Sequence, residues 1–143
     1  MPVAASPSPL VVTSIRDELA TRCDLIERAY EFMLAYAAQG LSGDASSQSG
    51  GQLRELLARA ASALDGLADQ YAALVAAEGL EPRQAYSNFL HVLTRDAADA
   101  RAAMELVLAQ SAISSQIVDN LNASIHVRAL LTDLFLIDEI LEK

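Results

Sequence analysis

From residue 83 to residue 143 the chain contains neither a glycine nor a proline. A β-sandwich needs turn residues roughly every ten positions, and this stretch has none to offer. The whole chain of 143 residues holds only 6 glycines and 4 prolines. Alanine and leucine, both strong helix formers, make up about a third of it. With 52% apolar and 20% charged residues, it has enough apolar surface to form a core. The expectation is an all-α fold. The length suits one domain, and no apolar run approaches the 18 residues of a membrane span.

Helical phase divides the chain further. Residues 1–12 read as a flexible, Pro/Ser-rich and disordered tail, because Pro2, Pro7 and Pro9 oppose helix. The single helical-bundle domain then spans residues 13–143. A first helix over 14–39 has Thr13 or Ser14 as its cap. It carries Ile15, Leu19, Ile26, Tyr30, Met33 and Ala37 on one face, and its apolar arc is wide enough for two neighbours. Residues 40–51 contain one leucine among glycines, serines and polar residues, and read as a flexible loop. A second helix runs over 52–78, with Leu53, Leu57, Leu64, Tyr71 and Leu74 in its stripe.

Beyond Pro82, which is placed as a first helical residue, the breaks must be found by phase. The stripe through Phe89, Leu93, Ala97 and Met104 shifts by about 70° at Ile117, Val118 and Leu121, on a wheel of 100° per residue. It shifts again at Val127, Leu130 and Leu134. A turn is expected within 110–115 and a kink or second break within 120–124. The resulting fold is an up-and-down four-helix bundle with its last helix kinked or split. The alternative is five helices, with 112–122 as a short separate piece.

Charge narrows the functional classes. The net charge is −9, and nine of the ten basic residues are arginines scattered along the chain. No basic stripe exists to neutralise phosphates, so neither nucleic acid nor an anionic membrane surface is an expected partner. Cys23 is the only cysteine, which excludes an internal disulfide; with no secretory signal at the N-terminus, the expected compartment is the cytoplasm.

Catalytic and metal signatures are missing. A di-metal bundle needs Glu-x-x-His twice, but Asn88 and Ala123 stand three residues before His91 and His126. No Gly-x-Ser-x-Gly elbow, phosphate loop, dinucleotide fingerprint or zinc spacing occurs. No catalytic residue, cofactor or metal is therefore expected. Asp24, Glu27 and Glu31 form an acidic cluster that would suit a cation or a basic partner, and reads more simply as a solvated face. His126 and Asp133 would make a dyad only with a nucleophile, and read otherwise as two exposed polar groups. Cys23 reads as a small buried hydrophobe. Tyr30, Tyr71 and Tyr86 read as core rings with hydroxyls at the rim, or as walls of a ligand pocket between helices.

The last helix is the unusual segment. Leu134, Phe135, Leu136 and Ile137 are four large apolar residues in a row, followed by Ile140 and Leu141. One helix face cannot hold them all. Asp138 falls inside the main face and needs a partner, for which Arg101 or Arg128 is a candidate. These seven residues, Leu134 to Ile137 with Asp138, Ile140 and Leu141, form the expected interaction surface. The coarse pattern is similar to small acidic bacterial helical chaperones and adaptors, although no motif ties it to one family. The functional expectation is a protein–protein interaction module, self-associating as a homodimer. The alternatives are a bundle binding a small apolar ligand between its helices, as a sensor or carrier, and an enzyme without a recognisable motif.

Overall fold

A computed structural model describes residues 8–45 and 47–142. These residues are all-α: α1 (Pro9–Ala38), α2 (Gln48–Leu64), α3 (Leu67–Glu78), α4 (Arg83–Leu108), α5 (Ser115–Ala123) and α6 (Ile125–Leu141). None of these helices is long and apolar enough to cross a membrane. α1 packs on α2, α3 and α5, while α4 packs on α2, α3, α5 and α6. The core lies between them, with Tyr36, Leu57, Leu93, Met104 and Leu130 almost wholly enclosed.

Two helices begin earlier than their sequence suggests. α1 starts at Pro9, capped by Ser8, and not at residues 13–14. Proline at the first helical position loses no hydrogen bond, since that N–H has no intrahelical acceptor. Residues 1–7 of the expected tail lie outside the described residues. α2 starts at Gln48, with the Ser47 hydroxyl accepting from Gly50 N at 3.0 Å. The expected flexible loop 40–51 is therefore shortened from its far end.

The single helix expected over 52–78 is two. Asp65 turns to extended backbone and Gly66 adopts φ 74°, which glycine reaches without the Cβ penalty. Arg22 of α1 donates to the carbonyls of Ala63 at 3.0 Å and Asp65 at 2.6 Å, satisfying groups that the break exposes. From Leu90 onwards α4 follows its expected stripe, but with Pro82 as its cap. The later breaks fall at 109–114, one residue ahead of the expected 110–115, and at Ser124, inside the expected 120–124. Ser114 and Ser124 each accept from a backbone N–H three residues on.

One end of the molecule is closed by a polar clasp between the α1–α2 and α4–α5 connections. Asp44 is buried; it accepts from Arg54 Nε and from Ile113 N at 2.7 Å. Arg54 also donates to the carbonyls of Leu108 at 3.1 Å and Gln110 at 2.9 Å, at the C-terminal end of α4. Tyr36 Oη donates to Ile113 O at 2.7 Å, and Ser115 Oγ donates to Tyr36 O at 2.6 Å. Leu41 and Ser115 exchange two further hydrogen bonds of 2.9 Å. Gly50 leaves room for this arrangement: a Cβ there would stand 1.9 Å from the Asp44 carbonyl oxygen.

Candidate interaction surface

The short turn at 79–82 returns the chain so that the first half of α4 lies beside the second half of α6. The two helices enclose a groove of about 300 Å³ lined by Pro82, Ala85, Tyr86, Phe89, Leu136, Ile137 and Ile140. Its walls are apolar except for the Tyr86 hydroxyl. Of its α6 wall, Leu136 is 52% and Ile140 46% exposed, and Phe135, outside the groove, is 59% exposed. Leu34 and Leu106 are also exposed, but on α1 and α4 rather than in this group.

The six apolar residues of the expected surface therefore separate into two sets. Phe135, Leu136 and Ile140 face outwards, whereas Leu134, Ile137 and Leu141 are buried. The cause is the 100° step: residues 134, 137 and 141 recur on the core side, and 135, 136 and 140 fall on the others. Tyr86 and Phe89, which the sequence placed on the core stripe of α4, instead line the groove and are half-buried. Their signal was their position, at the start of a helix where the core is thinning.

Asp138 is half-buried on a third side of α6, facing α1 and α3. Its partner is Tyr71, whose Oη donates to Oδ1 at 2.5 Å. Neither expected arginine is used. Arg101 pairs with Glu105 at 2.8 Å and Asp65 at 3.3 Å, and Arg128 is exposed. Burial raises the Asp138 carboxyl above its usual range, opposed by the hydrogen bond from Tyr71. Cys23 Sγ lies 3.3 Å from the same hydroxyl, and burial pushes its thiol up to about 12. A thiol held protonated in this way is a poor nucleophile.

These groups border a cleft of about 340 Å³ whose rim carries Asp24, Glu27 and Glu142, with Arg16 at one end. Arg16 is already bonded to Glu78, with N–O distances of 2.7–2.9 Å. Glu27 titrates above its usual range, first through burial and then through Asp24, Asp138 and Glu31. Of the acidic cluster seen in the sequence, Asp24 and Glu27 reach this cleft. Among the described residues no three His, Cys, Asp or Glu side chains are grouped to hold a metal ion.

The expected His126–Asp133 pair is not two exposed groups. His126 is exposed, but Asp133 is buried. Asp133 turns towards α4, where the Asp96 carboxyl stands beside it. Burial and that carboxyl together raise its pKa from 3.8 to about 7. Its Oδ2 has no hydrogen-bond partner among the described residues, nor has the amide of the buried Asn122. Asp133 was hidden because only the packing of α6 on α4 shows which polar position is turned inwards.

No protein-family model matches the chain, and no curated protein or solved structure matches it.

Proposed function

We propose that the chain is a protein–protein interaction module, a cytoplasmic adaptor or assembly factor of chaperone-like kind, that associates with a second copy of itself. The observation that carries this reading is the exposure of Phe135, Leu136 and Ile140 together, beside an apolar groove. Contiguous apolar surface of this kind marks interaction sites, whereas singly exposed apolar residues are ordinary. Covering the exposed half of each such side chain contributes about 1 kcal/mol, and a two-fold dimer covers the patch on both subunits. The scaffold is proposed to act as four antiparallel segments, with α2–α3 and α5–α6 each a single segment broken once. That arrangement would hold α4 and α6 rigidly enough to present a preformed surface.

The test is light scattering on the unmodified protein and on the double variant Leu136→Glu, Ile140→Lys. The unmodified protein is expected to be a dimer, and the variant a monomer with unchanged helicity. Equal masses for the two forms would overturn the reading.

A further inference from the structure

We propose that the second copy docks antiparallel along α6, with Arg128 of each copy set against Glu139 of the other. This deepens the self-association proposed above and rests on it. The outer face of α6 presents Arg128, Thr132, Phe135 and Glu139, all exposed. Their spacings are four, three and four residues, the rhythm that keeps side chains on one stripe against a partner helix. Read towards the C-terminus, the stripe runs cation, threonine, phenylalanine, anion. Read backwards, it runs anion, phenylalanine, threonine, cation. An antiparallel copy therefore brings Arg128 to Glu139 at both ends and Thr132 to Phe135 between them. A parallel copy in register would oppose Arg128 to Arg128 and Glu139 to Glu139.

The intramolecular ion pairs leave both charges available. Arg16, Arg22, Arg54 and Arg101 are each engaged with a carboxylate. Among the described residues, neither Arg128 nor Glu139 takes part in such a pair. In a chain of net charge −9, two copies repel overall, so a contact that places cation on anion twice selects this orientation over others.

The apolar groups agree with the same geometry. A two-fold axis passing beside α6, level with the point between Asp133 and Leu134, sets Arg128 of each copy opposite Glu139 of the other. On that axis Ile125 lies about 13 Å to one side and Ile140 about 10 Å to the other, at 1.5 Å per residue. Ile125 is 74% exposed and lies at the same side of the stripe as Leu136. Each Ile125 is thus brought within about 3 Å, along the helix axis, of the other copy's Ile140, at the mouth of the apolar groove. The groove receives an aliphatic side chain from the partner, and the rim charges fix the direction.

Sedimentation velocity on four forms tests this: unmodified, Arg128→Glu, Glu139→Arg, and the double exchange. Circular dichroism confirms that each is folded. Each single reversal places like charges together twice, and is expected to raise the dimer dissociation constant about tenfold or more at low salt. The double exchange restores opposite charges and is expected to return it to within about threefold of the unmodified value. A double variant no tighter than the singles, or four equal constants, overturns the antiparallel arrangement. If Leu136→Glu, Ile140→Lys abolishes association while the charge variants leave it unchanged, the surface is right and the orientation wrong. A monomeric unmodified protein removes both.

Discussion

Asp44 and Asp133 are equally buried, at 8% exposure each, yet titrate in opposite directions. Asp44 sits in the clasp, where the Arg54 guanidinium and the Ile113 N–H hold its carboxyl down at about 2. Asp133 sits between α6 and α4, where burial and the neighbouring Asp96 raise it to about 7. Burial alone therefore does not decide the outcome; the partner does. The contrast extends to the surroundings. At the clasp, side-chain donors and acceptors close on backbone groups of the facing connection. On the α4–α6 side a buried carboxylate oxygen has no hydrogen-bond partner among the described residues, and three large apolar side chains are about half exposed. The first region is closed by contacts within the chain, and the second is the surface on which self-association is proposed.

The sharpest way to break the comparison is to remove Asp44. Asp44→Ala leaves Arg54 without its carboxylate and the Ile113 N–H without its acceptor. It is expected to cost about 3–5 kcal/mol in urea unfolding. A cost under about 1 kcal/mol would mean that the clasp is ornamental. Both regions hang on one core, and that core sets the scale. Leu64→Ala and Met104→Ala, at 4% and 2% exposure, should each cost about 2–5 kcal/mol. Small losses at both would show that the helices meet in another register.

The two carboxylates also give opposite pH slopes. For Asp44 the folded pKa is lowered, so its contribution is present above about 4 and is lost as pH falls towards about 2. For Asp133 the folded pKa is raised from 3.8, so its contribution is full below about 4 and is lost as pH rises through about 7. Asp133→Asn should therefore flatten the decline in melting temperature between pH 4 and about 7, and should melt higher than the unmodified protein at pH 8. A variant with an unaltered pH profile would show that Asp133 is solvated. The smallest effect separates two neighbouring glycines. Gly51→Ala meets nothing within 4 Å and should stabilise α2 by about 0.5–1 kcal/mol. Gly50→Ala meets the Asp44 backbone and should destabilise. Equal responses would remove the close approach on which the clasp depends.

Much of this helical layout could be read from the sequence, and the exceptions share a cause. The turn after α4 and the break at Ser124 were visible because the apolar stripe changes phase there. The break at Gly66 was not, because Leu64, Leu67 and Tyr71 keep helical spacing across it. One left-handed glycine redirects the chain without disturbing the pattern. Pro9 reads as a helix breaker and is a helix starter, a difference set by position alone. The clasp was hidden in a low-complexity stretch: Asp44 meets Ile113, which is 69 residues away in sequence. The excess of apolar residues on α6 was legible, since it is a local property of one helix. Which of them face outwards depended on where α4 lies.

The proposal turns on whether the α4–α6 side is left open in solution or covered by a second copy. Sedimentation equilibrium on the unmodified protein, over a wide range of concentration at moderate salt, measures this directly. The expected result is a reversible monomer–dimer equilibrium, with the mass rising to twice that of one chain. A mass that stays at one chain up to the highest concentration would contradict it.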